Sequence, residues 1–200
     1  MRGFLRTSSW MPLLAVTALF CGCIDETQQT AEGGIEGTGK TIGPISGFGS
    51  VHVNGTRLDT TDSSFVFEGQ LSSEDQLFKG MVISATGDAS GPADNIEFRF
   101  NLVGSLDAVP SPVADDCEQG NMLALGQEIL SDELTILRNF AVNDVQCGDI
   151  IAVSGFRRSD GELLATYLER LGPTDSLAAA SVLEGPVQSL DEQGLSFRIG

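Results

Sequence analysis

Ser50-Val51-His52-Val53-Asn54-Gly55-Thr56-Arg57-Leu58-Asp59 reads as two short strands folded about an Asn-Gly turn. Apolar and polar residues alternate on both sides of that dipeptide, the period at which successive side chains point to opposite faces of a sheet. Asn-Gly is the pair that most readily takes the positive φ angles of a two-residue hairpin. The same signature extends outward. Ser64-Phe65-Val66-Phe67-Glu68 is a strand, and Leu71 to Leu77 is one capped helical turn with a serine N-cap and acids in its first turn. Gly80 to Gly87 and Asn95 to Val103 are strands parted by a Gly-Pro loop. With 24 glycines, 11 phenylalanines and 41% apolar residues, the chain fits an all-β fold of short strands with a real core.

The order then repeats. Lys79-Gly80-Met81-Val82-Ile83-Ser84-Ala85-Thr86-Gly87 corresponds to Cys147-Gly148-Asp149-Ile150-Ile151-Ala152-Val153-Ser154-Gly155. Each is followed by a polar turn and a strand, Ile96 to Val103 in one case and Leu163 to Arg170 in the other. Strand openings recur three times, at Ile42-Gly43-Pro44, Val103-Gly104-Ser105 and Glu184-Gly185-Pro186. This predicts one β-unit over residues 40–105, a second over 106–180, and the start of a third over 181–200. The third stops in what reads as the middle of a strand pair, so the expectation is a fragment, or a tail that supplies a strand to another unit.

The amino terminus carries a separate message. Arg2 and Arg6 flank the apolar run Met11 to Phe20, too short to span a bilayer comfortably, which is the layout of a secretory signal over residues 1–22. Gly22 supplies the small residue that a lipoprotein peptidase needs before Cys23, and the stretch resembles a bacterial lipobox with Phe20 where leucine is usual. Cys23 is the expected lipidation site, carrying palmitate among its acyl chains; several chains anchor stably where one is marginal. Ile24 after the cysteine favours the outer membrane, on its periplasmic side or surface. Residues 23–39 have almost nothing to bury and read as a disordered tether. Without Arg2 and Arg6, nine basic residues face 28 acidic ones, a formal charge of −19 that repels nucleic acid.

Gly34-Ile35-Glu36-Gly37-Thr38-Gly39-Lys40-Thr41 fits G-x-x-x-x-G-K-[ST] at every position, yet a P-loop needs an apolar strand before it and a helix after it. A polar tether precedes, and Gly43-Pro44 with Gly47 and Gly49 follows, so no nucleotide is expected, nor any other cofactor or metal. His52, the only histidine, lies on a strand between Val51 and Val53 and faces away from them, as a solvent position rather than a catalytic base. The acid pairs Asp59 with Asp62, Glu74-Asp75 and Asp115-Asp116 fit no EF-hand spacing and read as a solvated face. Asn54-Gly55-Thr56 matches a glycosylation sequon but reads as a turn.

The repeated form, a Gly-x-Ile/Val opening, Gly-Phe-Gly-Ser-Val-x-Val-Asn-Gly, a central strand and then Asp-Gly-x-Leu-x-Ala-x-x-Leu-Glu, resembles a bacterial domain-of-unknown-function family of tandem small β-domains in exported proteins. The resemblance covers roughly residues 40 to 200. It implies compact OB-like barrels and brings no catalytic residue and no ligand. Cys147 departs from the pattern. With Cys21 removed with the signal and Cys23 lipidated, Cys117 and Cys147 remain as one pair in an oxidising compartment, expected to form a disulfide; without CxxC spacing or a nearby histidine, a reactive thiol pair or metal site fits less well. Two function classes follow: a non-enzymatic envelope module binding a protein or glycan partner, and, as the alternative, a carboxylate-dependent envelope hydrolase completed by sequence beyond residue 200.

Overall fold

The computed structural model describes residues 35–36, 39–87, 92–110, 117–173 and 181–199, all within one compact unit, Ala31–Gly200. Cys21, Cys23 and the acid pair Asp115-Asp116 lie outside the described residues. Every described regular element is a strand or a single 3-10 turn, as the period-two patterning requires.

A first sheet contains β1 (Ile35–Glu36), β2 (Lys40–Gly47), β3 (Val51–Val53), β4 (Thr56–Leu58), β5 (Ser64–Phe67), β6 (Gln70–Ser72), β7 (Val82–Gly87) and β8 (Ala93–Phe98). They lie in the order β4-β3-β2-β7-β8-β5-β6, with β1 on β2. The second sheet contains β9 (Leu102–Val109), β10 (Glu118–Gln119), β11 (Met122–Ala124), β12 (Gln127–Leu130), β13 (Ile136–Arg138), β14 (Asp149–Arg157), β15 (Leu163–Pro173) and β16 (Val182–Leu183). A separate hairpin joins β17 (Val187–Asp191) to β18 (Ser196–Ile199).

In the second sheet β9 pairs with β11, β11 with β12, β12 with β15 in parallel, β15 with β14, and β14 with β9 again. That circuit is a closed five-stranded barrel with OB-like strand order. The first sheet repeats the pairings of β2, β3, β4, β7 and β8, and its counterpart of the parallel β12–β15 contact is one backbone bond, Ala93 N donating to Asp59 O at 2.9 Å. Matching positions carry matching geometry. Asn54 and Gly55 turn with φ of 50° and 75°, Leu125 and Gly126 with 52° and 72°. Gly80, at φ 87°, donates its N–H to Ile45 O at 2.8 Å; Gly148, at 88°, donates to Leu106 O at 2.9 Å.

The two sheets share a core. The first cluster holds Ile45, Val51, Ile83, Ile96 and Phe98 together with Val103, Ile150, Ala152 and Tyr167 from the second sheet. Strand β14 is therefore buried on both faces: Ile151 and Val153 fill the barrel while Ile150 and Ala152 pack against the first sheet. A bulge opposite Ser154-Gly155 places Ala165 in the barrel core and Tyr167 in the other. Polar groups along this seam are matched. Val82 N–H donates to Ser154 Oγ at 2.9 Å, and Thr166 Oγ1 donates to Gly80 O at 2.6 Å, since a buried N–H or C=O left without a partner is costly.

Three local expectations are modified. The strand read over Ile96 to Val103 divides into β8 and β9 at Arg99–Asn101, where the chain leaves the first sheet for the second. Phe100 keeps its side chain in the first core while its N–H donates to Glu68 Oε1 at 2.6 Å; Asn101 N–H donates to Val153 O at 2.9 Å. The turn Glu74–Gln76 has Ser73 as N-cap, but the serine hydroxyl bonds the Asp75 carboxylate instead of a backbone N–H. Within the stretch read as tether, Ile35–Glu36 pairs antiparallel with Lys40 and Thr41 about Gly39, at φ 71°.

Candidate functional site

The terminal hairpin meets the mouth of the barrel around Arg157. This arginine follows the apolar run of β14, and its guanidinium joins three segments: it bonds Gln127 Oε1 and donates to Gly161 O and Glu184 O, each at 3.0 Å. Burial pulls its pKa below the ordinary arginine value. Gly185 passes over this side chain so closely that a Cβ there would lie 2.9 Å from Arg157 Nε and 2.9 Å from Ile199 Cγ2. Gln127 Nε2 donates to Ile199 O at 3.4 Å. Between barrel and hairpin lies an open groove of about 570 Å³ lined by Leu125, Gln127, Glu162, Leu183, Phe197 and Ile199. The hairpin bears Val187, Leu190, Leu195 and Phe197 exposed, with Phe197 at 64%.

A second polar cluster sits at the seam of the sheets. Tyr167 Oη donates to Glu169 Oε2 at 2.8 Å, Arg138 Nη1 lies 3.2 Å from Glu169 Oε1, and Asn139 Nδ2 donates to the same oxygen at 3.2 Å. The Arg138 guanidinium also covers the Phe78 ring at 3.6 Å. Burial pushes the Tyr167 phenol well above its ordinary pKa, so it acts as a fixed hydrogen-bond donor. The cluster satisfies charges where Phe78 and Tyr167 stack, their centroids 6.3 Å apart. Its geometry is that of an internal lock.

The residues singled out from sequence fall in separate places. Cys117 and Cys147 are joined as a disulfide, with Cα atoms 5.5 Å apart, tying the approach to β10 to the start of β14. His52 lies on β3 between buried Val51 and Val53, itself half-buried and paired across the hairpin with Arg57. Asp59 is an Asx turn: its Oδ1 accepts Thr61 N–H at 3.1 Å and Thr61 Oγ1 at 2.7 Å, and these bonds, the hydroxyl's first, hold its carboxyl below the usual range. Asp132 and Asp191 close turns in the same way. Glu74 Oε2 accepts from Thr60 Oγ1 at 2.9 Å, and the Asp75 carboxyl is lowered first by Ser73 and then by Gln76. Asn54 Nδ2 donates to Ile42 O at 2.8 Å, so its amide serves the turn. Of the Gly34 to Thr41 match, Lys40 and Thr41 begin β2. Among the described residues, no group of three or more His, Cys, Asp or Glu is placed to hold a metal.

The groove and the seam were missed from sequence because both join residues far apart in the chain. Arg157 had a faint signal, the first of two successive arginines between the β14 apolar run and the Asp-Gly turn. No curated protein and no solved structure matches the chain. Residues 113–169, which hold β10 to β14 and most of β15, match the family model of a domain of unknown function, DUF5666.

Proposed function

We propose that this chain is a lipid-anchored module of a bacterial cell envelope that works by binding rather than catalysis. Cys23 would carry the acyl chains, the residues between it and β1 at Ile35 would lift the folded part from the membrane, and tandem OB-like units would present a binding surface on the periplasmic side or surface of the outer membrane. The reading of the amino terminus as signal and lipobox supports the anchor, and a charge of −19 after signal removal argues against nucleic acid as a partner. The observation that carries the binding reading is the terminal hairpin, with four exposed large apolar residues beside an open groove. Apolar surface gathered at one place marks interaction sites more often than scattered exposure does.

The anchor is tested by palmitate labelling and fractionation of wild type and Cys23→Ser. Label and membrane association in the wild type, and neither in the variant, is the expected result. A labelled, membrane-bound Cys23→Ser protein contradicts it.

A further inference from the structure

The three strand openings lead into three hairpins with one register. Ile45 faces Val53 and Gly47 faces His52, with a bulge between the two pairs. Leu106 faces Ala124 and Ala108 faces Leu123, with the bulge in the same place. Val187 faces Ile199 and Ser189 faces Arg198, again with the bulge between them. Val187 is thus the third instance of the position held by Ile45 and Leu106. Phe197 stands where Val51 and Met122 stand, and Ile199 where Val53 and Ala124 stand.

In the first two instances all six of these residues are at most 3% exposed. They are covered by a second strand pair, β7–β8 over the first hairpin and β14–β15 over the second, whose apolar residues Ile83, Ile96, Ile151 and Leu168 are themselves buried. In the third instance Val187 is 59% and Phe197 64% exposed, and β17 and β18 pair only with each other among the described residues. An isolated two-stranded hairpin is marginal in water, and a further strand with an apolar face is what such a pair lacks.

Resting on the binding reading above, we propose that the β17–β18 hairpin accepts the central strand pair of a further β-unit of this kind, supplied from outside these 200 residues. The pair would have the chemistry of β7–β8: an antiparallel hairpin with alternating apolar residues. Its first strand would run antiparallel beside the hairpin, as β7 does beside β2, and its apolar face would close over Val187, Phe197 and Ile199. A second copy of this chain is disfavoured as donor, since β7 and β14 already have both edges paired.

The test uses the full chain in detergent and a labelled synthetic peptide with the sequence of residues 79–100, read by fluorescence anisotropy and hydrogen exchange. Saturable binding, weakened at least about tenfold by Phe197→Asp and by Val187→Asp, with new protection confined to Val187–Ile199, is expected; tenfold corresponds to about 1.4 kcal/mol. Both side chains are exposed, so unchanged unfolding curves serve as the control. Equal binding by the variants, or protection elsewhere, overturns the proposal. So does hairpin protection without peptide that tracks dimer formation in sedimentation. If the peptide fails but a photo-crosslinker at Phe197 captures a glycan or an unrelated protein in cells, the strand-pair proposal falls and the binding reading stands; if it captures nothing, both fall.

Discussion

Gly80→Ala tests whether the two sheets form one body. Gly80 has φ 87°, a region that costs an L-residue roughly 1–2 kcal/mol. Its added Cβ would collide with the Thr166 backbone carbonyl, which has no side-chain freedom to yield, and would lie 2.9 Å from Ile136 Cγ1. Relief requires the β7 opening to move away from β13 and β15, weakening the Thr166 to Gly80 hydrogen bond at 2.6 Å, worth about 1 kcal/mol net. The combined loss is about 3 kcal/mol, or roughly 6–12 °C in Tm for a body of this size. Gly120→Ala is the paired control, since a Cβ there meets nothing within 4 Å. Urea unfolding of both variants gives the answer. A Gly80→Ala loss below about 1 kcal/mol, or no larger than that of Gly120→Ala, would refute the seam as described.

Other outcomes follow from the same packing. Replacing Cys117 and Cys147 together by serine opens a link between residues 30 apart and lowers stability by about 3–4 kcal/mol, measured by urea unfolding against the oxidised parent. Phe98→Ala, at a fully buried ring 4.9 Å from Phe67 and 4.8 Å from Phe100, costs about 3–5 kcal/mol, whereas Phe197→Ala stays within about 0.5 kcal/mol. Tyr167 is the only tyrosine, and its folded pKa is raised, so the stability it contributes is complete below the unfolded value near ~10 and is lost as pH rises above it. Tyrosinate absorbance in the native protein should stay absent above pH ~10 until unfolding, and Tyr167→Phe should flatten the alkaline fall in midpoint.

The hairpin at Asn54-Gly55 was legible because its turn chemistry and its alternation agree. The repeated unit was legible in the sequence, since the strand opening at Gly43 returns at Gly104 and the strand after Gly80 returns after Gly148, whereas closure into a barrel was only what the family resemblance implied. The disulfide followed from assigning the other two cysteines elsewhere. The break at Arg99–Asn101 was not legible, because Phe100 continues the alternation of Ile96 and Phe98 and stays in the same core even as its backbone changes sheet. The strand from Ile150 to Val153 was legible as the counterpart of the one after Gly80, but not its burial on both faces, nor which face met the barrel and which the first sheet. Tyr167 and Glu169 gave no local signal of their lock with Arg138, since contacts between distant strands leave no periodicity to read. The third hairpin was recognised as an opening, while its identity of register became visible only in the pairings.

The binding reading is tested most directly by a photo-crosslinking residue at Phe197 in native cells, with the exposed Leu71 position as control. The account predicts one dominant protease-sensitive adduct from position 197, recovered in the membrane fraction and absent from position 71. No adduct at either position, or the same adducts from both, would contradict it.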